Sequence, residues 1–263
     1  MNRKPIKLDP DMFPEGIRTF LKSGAAFDSS GSPEARVIYI EKEGGLFLKE
    51  APAGTLRTEA MMTSYMHSLN LSAEVLYYGT HGSKDYMVTG RITGEDCTHP
   101  VYMRDPKRLC DTTASLLRQL HEIIPGNCPV TDRNRTYIET VRQGFDQHAY
   151  EPDLFVGLYE FVSFEEAKHV SEKGFSLMKR EVLLHGDYCL PNIILDHWQF
   201  SGFIDVGNGG IGDRHIDILW GIWTLKYNLG TTEYTDRFID AYGRDKVETD
   251  KLRFLAAMEM IGG

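Results

Sequence analysis

The residues with the clearest chemical potential lie in His185-Gly186-Asp187-Tyr188-Cys189-Leu190-Pro191-Asn192, followed by Phe203-Ile204-Asp205. Asp187 comes just after a short apolar run, so its carboxylate belongs to a loop rather than a strand interior. Asn192 returns at the start of the next apolar run and offers an amide oxygen. Asp205 ends a third run and offers a second carboxylate. Magnesium takes hard oxygen ligands, one or two of them protein carboxylates, and keeps its other positions for water and substrate phosphates. Asn192 and Asp205 are such a donor set, which leaves Asp187 to accept or orient the proton of a hydroxyl. Any one of the three alone reads as a turn cap, the commonest work of Asp and Asn in loops. The ordered set, framed by hydrophobic runs, points to chemistry.

Such a set needs a scaffold. The first third of the chain is rich in β-branched and aromatic runs. Strands are expected at Ala35–Ile40, at Leu46–Lys49 after a Gly44-Gly45 turn, at Ala73–Tyr78 and at Asp85–Thr89, with a helix from Thr55 to Ser68. Past Gly94 the periodicity becomes helical. Pro106–Ile124 is amphipathic and ends at Pro125-Gly126, a second helix runs from Asn134 to about His148, and Ser163-Phe164-Glu165-Glu166 is a capping-box pattern that opens a third. Short strands are expected at Val182–Leu184, Ile193–Leu195 and Phe200–Ile204, then helices from about Arg214 onward. The predicted class is α+β and bilobal: a small β-rich N-terminal lobe, residues 1–92, and a larger, mainly helical C-terminal lobe, residues 93–263.

Of the 263 residues, 41% are hydrophobic and 25% charged, enough to build a globular core. The longest apolar stretch, Ile218–Leu225, falls well short of the ~20 residues a bilayer span needs. No apolar segment of a secretory signal follows Met1-Asn2-Arg3-Lys4-Pro5. No membrane contact is therefore expected. The 29 basic and 38 acidic residues give a formal net charge of −9, which disfavours nucleic acid as a ligand and suits a cationic one. Cys97, Cys110, Cys128 and Cys189 are scattered without a CxxC pair and read as free thiols of a cytoplasmic protein, expected to be a monomer.

The pattern His-Gly-Asp-x-x-x-x-Asn followed by Ile-Asp-x-Gly resembles the aminoglycoside phosphotransferases, which share the protein-kinase-like fold. The variant at 185–192, with Phe203-Ile204-Asp205-Val206-Gly207 and Asp213-Arg214-His215-Ile216-Asp217 after it, is similar to the aminoglycoside 3′-phosphotransferase branch. The resemblance extends from about Phe27 to the C-terminus. It implies a small-molecule kinase that transfers the γ-phosphoryl of ATP, or of GTP, to a hydroxyl. Asp187 would be the catalytic residue, and Asn192 and Asp205 the ligands of Mg2+. Lys49, on the strand face it shares with Phe47, would meet the α- and β-phosphates and be held by Glu59 of the following helix. Ser32, in the Ser29–Ala35 loop, stands where relatives cover the phosphates. The backbone of Gly90 and Ile92 stands where they hold the adenine. Asp213, Asp217 and His185 are expected to support the catalytic loop.

Family acceptors are polycations, so acidic contacts are expected from Glu259 and from Glu160, which lies in the acid-rich segment between Asp146 and Glu166. Other positions depart from the family. Asn208 stands where arginine is usual, Trp223, Tyr227 and Asn228 replace an arginine and an acidic pair, and Met258–Gly263 lacks a final aromatic residue. Trp220 and Trp223 read as core or groove lining. The expected function is phosphorylation of an aminoglycoside antibiotic, conferring resistance. The alternatives are a kinase for another small alcohol, such as choline or a sugar, and a nucleotide-binding pseudokinase. The intact set Lys49, Glu59, Asp187, Asn192 and Asp205 argues against the pseudokinase.

Overall fold

The computed structural model describes residues 4–22, 24–31, 33–42 and 44–262. They form two compact units: Met1–Gly94 with Ser201–Gly207, and Glu95–Phe200 with Asn208–Gly263.

The first unit contains β1 (Lys4–Ile6), α1 (Glu15–Leu21), β2 (Ala25–Asp28), β3 (Arg36–Glu41), β4 (Leu46–Pro52), α2 (Arg57–Ser68), β5 (Val75–His81) and β6 (Lys84–Gly90). Its strands form one antiparallel sheet in the order β1-β2-β3-β4-β6-β5. Side chains alternate between the two faces of a strand. Ile38 and Ile40, Leu48, and Tyr86 and Val88 therefore share one face, where Ile17 and Leu21 of α1 bury them. β1, α1 and β2 lie outside the strand pattern read from the sequence, yet they supply this cover. The opposite face carries Ala51 and Met87, covered by Leu56 and Ala60 at the start of α2. Lys49 belongs to that face by the same alternation. Leu56 caps α2 without a side-chain acceptor. The buried Asp85 of β6 fills the gap, accepting from the N–H groups of Gly54 (2.9 Å) and Leu56 (3.1 Å), which otherwise lack partners at a helix start.

The second unit contains β7 (Glu95–Asp96), α3 (Pro100–Met103), α4 (Pro106–Glu122), α5 (Arg133–Gln147), α6 (Phe164–Phe175), β8 (Val182–Leu184), β9 (Ile193–Asp196), β10 (Gln199–Phe203), β11 (Gly210–Gly212), α7 (His215–Leu229), α8 (Thr235–Tyr242) and α9 (Thr249–Gly262). β10 runs on into the first unit. Small sheets, β10-β9-β7 and β11-β8, carry the loops between them. The Ser163 hydroxyl caps α6 by accepting from Glu166 N–H at 3.2 Å. Glu166 in turn accepts from Val162 N–H at 2.8 Å, one residue before the cap. α5 and α9 approach so closely at Gly144 that a Cβ there would lie 1.9 Å from the Ile261 carbonyl oxygen. Among the described residues no helix is long and apolar enough to cross a membrane.

Candidate active site

In the first unit Lys49 sits between two carboxylates. Its Nζ donates to both oxygens of Glu59 (2.8 and 2.9 Å) and to Oδ1 of Asp205 (2.9 Å), which uses all three ammonium hydrogens. Burial alone would lower the Lys49 pKa, but the charges of Asp205 and Glu59 outweigh it and hold the group above its ordinary value. Asp205 arrives from far along the chain. Phe203 N–H donates to the Leu71 carbonyl (2.7 Å) and the Ser72 hydroxyl donates to the Phe203 carbonyl (2.8 Å), so 201–207 lies beside the end of α2. Asp205 has φ +55°, a conformation that costs a non-glycine residue on the order of 1–3 kcal/mol and gathers at functional sites.

The second unit holds the loop between β8 and β9. Asn192 Nδ2 donates to the Asp187 carbonyl oxygen (3.0 Å) and to Asp187 Oδ2 (2.8 Å). This pins the Asp187 carboxylate and turns the Asn192 oxygen the other way. The loop backbone is held from α7. Asp217, fully buried, accepts from the N–H groups of His185 and Gly186, both at 2.8 Å, and lies 3.1 Å from His121 Nε2. Burial keeps His121 below its ordinary pKa, so it serves as a neutral partner. Leu190 N–H donates to Thr224 Oγ1 (3.0 Å), and Asp187 N–H donates to His185 Nδ1 (3.3 Å). Gly186 has φ +84°, and a Cβ there would lie 1.8 Å from the Asn208 carbonyl oxygen, so only glycine fits. Asp217 thus does what the sequence assigned to two aspartates. Asp213 serves elsewhere, accepting from Lys179 N–H (2.7 Å), His215 N–H (3.0 Å) and Lys251 Nζ (3.1 Å).

Of the other nucleotide-site residues expected from sequence, Ser32 lies outside the described residues. Beside it, Ser29 N–H donates to the Val37 carbonyl (2.8 Å) and Val37 N–H to Ser30 Oγ (3.0 Å), which closes the mouth of that loop. Gly90 ends β6, and its N–H donates to the Glu74 carbonyl (3.2 Å). Ile92 N–H makes no hydrogen bond among the described residues.

The family model described as "Phosphotransferase enzyme family" matches residues 28–255. The chain belongs to that family. A probable aminoglycoside 3′-phosphotransferase of Lactococcus lactis is 42% identical over 261 residues, covering 99% of both chains. An aminoglycoside 3′-phosphotransferase of Niallia circulans is 29% identical over 222 residues, covering 81% of this chain and 82% of the relative. Among solved structures, an aminoglycoside 3′-phosphotransferase of type VIII aligns with a TM-score of 0.67 at 21% identity, over 89% of this chain and 91% of the other. An aminoglycoside phosphotransferase of Streptomyces rimosus, in complex with ADP and streptomycin, aligns with a TM-score of 0.69 at 22% identity, over 90% of each. At these identities the likeness concerns the fold, the α+β protein-kinase-like one.

In this phosphotransferase Asp187 opens onto a pocket of about 140 Å3 lined by Arg133, Tyr137, Gly186, Asn208, Ile216, Trp220 and Glu259. Two of the lining groups escaped the sequence reading. Arg133, in the first turn of α5, donates to Asn208 Oδ1 at 2.6 Å. A guanidinium therefore reaches position 208 from another element, although the arginine usual there is absent. The only sequence signal was Asn208 itself. Tyr137 follows Arg133 by one helical turn. Of the two acidic contacts expected from sequence, Glu259 is buried in the pocket wall, whereas Glu160 is exposed and is not among the lining residues. The neighbouring Glu166 is committed to Arg253 (3.0 Å) and to the start of α6.

Glu259 is the electrostatically unusual member. Burial pushes its pKa up to about 7. The Tyr137 hydroxyl, the Trp220 indole N–H (3.0 Å) and Arg133 oppose that shift, and the charge of Asp187 adds to it. The folded-state pKa lies above the unfolded one. The stability linked to this proton is therefore complete below about pH 4.5 and lost as pH rises towards 7. Glu259→Gln keeps an acceptor for Trp220 and removes the titration. The variant should gain on the order of 3 kcal/mol relative to wild type between pH 4.5 and 8. Urea denaturation of both proteins at several pH values checks this, and parallel curves would show that Glu259 ionises normally.

Proposed function

We propose that this phosphotransferase moves the γ-phosphoryl of ATP or GTP onto a hydroxyl of an aminoglycoside. The observation that carries the reading is the pocket wall shared by Asp187 and Glu259. One carboxylate receives the hydroxyl, and the other, on α9, accepts an ammonium group of the same molecule. The Lactococcus lactis relative, named a probable aminoglycoside 3′-phosphotransferase, supports the choice of acceptor.

Asp187, pinned by Asn192, orients the acceptor hydroxyl and takes its proton as the bond to phosphorus forms. Lys49, held charged by Glu59, would grip the phosphates with the hydrogen it otherwise gives to Asp205. Gly90 and Ile92 offer main-chain groups to the base, and Ser32 is assigned to the phosphate-covering loop. The donor set suits magnesium. Asp205 gives one oxygen to Lys49 and has a half-exposed side chain, and the Asn192 amide is oriented with its oxygen away from Asp187. Both are hard oxygen donors. Bound magnesium would neutralise phosphate charge.

The test is phosphorylation of a kanamycin- and neomycin-type panel at low and moderate salt. Turnover is expected, and the acceptor KM should rise with salt more than kcat falls, because screening sets in over about 8–10 Å near physiological ionic strength. Turnover of a neutral alcohol with no aminoglycoside phosphorylated would overturn the acceptor and keep the kinase. Nucleotide binding without turnover of any acceptor would point to a pseudokinase.

A further inference from the structure

We propose that Tyr227 is a specificity-determining residue, its outward ring face seating the distal ring of a multi-ring acceptor whose first ring occupies the Asp187 pocket. The inference rests on the aminoglycoside reading above. It starts from size. The pocket, at about 140 Å3, is well below the ~300–1,000 Å3 of ordinary small-molecule sites. An acceptor of three or four rings must therefore extend beyond it.

The structure offers a path. Trp220 lines the pocket. Trp223 and Tyr227 follow at i+3 and i+7 and so lie on the same face of α7. The Trp220 and Trp223 rings meet edge to face (5.1 Å, 83°), and Trp223 and Tyr227 are stacked nearly parallel (4.9 Å, 16°). At 1.5 Å per residue the run is about 10 Å long. It is a rigid run: the Trp223 indole N–H donates to the Leu154 carbonyl at 2.6 Å, and the buried Phe155 packs on Trp220 at 5.9 Å. Tyr227, at the open end, is 69% exposed. One face of its ring rests on Trp223 and the other meets solvent.

The chemistry of that face is specific. An aromatic ring is negative over its face. It attracts both an ammonium group and the partly positive C–H face of a sugar or aminocyclitol ring. The neighbouring polar group does not compete, because Asn228 Nδ2 donates back to the Thr224 carbonyl (2.8 Å) and its hydroxyl (3.2 Å). The anchor for the distal ring is thus a π face, and it acts only on acceptors long enough to reach it.

Steady-state kinetics on Tyr227→Ala and Tyr227→Phe, with a two-ring neamine-type and a four-ring neomycin-type acceptor, test the idea. Tyr227→Ala should raise KM for the four-ring acceptor by about two- to fivefold, the size of an exposed cation–ring contact. It should leave the two-ring and nucleotide KM values where they are. Tyr227→Phe, which keeps the ring, should restore the four-ring KM. Equal KM changes for short and long acceptors, or none, overturn the platform while leaving the aminoglycoside reading intact. If the wild-type chain phosphorylates no aminoglycoside, both fall together.

Discussion

Asp187→Asn is expected to lower kcat by on the order of 10²- to 10⁴-fold, the usual worth of positioned acid–base assistance. The structure makes this a clean substitution. Asp187 Oδ2 accepts a hydrogen bond from Asn192 Nδ2 at 2.8 Å, and an asparagine oxygen accepts the same bond. Asp217 would still hold the loop backbone through His185 and Gly186. What disappears is the charge that receives the hydroxyl proton. Nucleotide affinity should change little, because Asp187 opens onto the pocket with Glu259 and Trp220. Single-turnover kinetics beside a nucleotide titration separate the two quantities. A folded Asp187→Asn protein that turns over at the wild-type rate removes Asp187 from the mechanism.

The second large effect belongs to Asp205. Lys49, Glu59 and Asp205 together carry one net negative charge, which favours a dication. Asp205→Ala makes that sum zero and removes a carboxylate oxygen. Mg–nucleotide affinity should fall by roughly 10²-fold or more, since losing a carboxylate ligand costs several kcal/mol of charge stabilisation. Asn192→Ala should cost less, because an amide brings a dipole rather than a charge. The Lys49–Glu59 pair survives the change at 205, so the fold should tolerate it. Asp205→Asn is the second variant. Asparagine accepts the left-handed backbone that Asp205 adopts, so any loss it shows is electrostatic. Isothermal titration with ATP, with and without magnesium, reads all three variants. Wild-type affinity throughout would refute the metal assignment.

Local patterns in the sequence were enough for much of the scaffold. β3 and β4 pair antiparallel across the glycine turn, and α6 starts at Ser163, whose hydroxyl accepts from Glu166 N–H as the capping-box pattern requires. Periodicity and capping are local properties, carried by neighbours in the chain. The turn between β9 and β10 was not readable in this way. His197 and Trp198 occupy positive φ there, where Asn-Gly would have announced a hairpin. Trp198 is instead held from a distance by Arg108 over its ring (4.3 Å) and by Tyr102 (4.9 Å).

The candidate site divides along the same line. The order Asp187, Asn192, Asp205 and the alternation that turns Lys49 towards α2 are written in the chain itself, because strand period and loop position depend only on near neighbours. That Asp205 returns to Lys49 was decided by tertiary structure, since it depends on 201–207 joining Leu71 and Ser72. So was the choice of Asp217 over Asp213 as the support of the loop, and the arrival of Arg133 beside Asn208. The titration of Glu259 is the clearest case. As a residue in a terminal helix it is an ordinary carboxylate. Burial in the folded chain, with the charge of Asp187 added, raises its pKa to about 7, because desolvation is a property of everything packed around a group and not of the residues beside it in the chain.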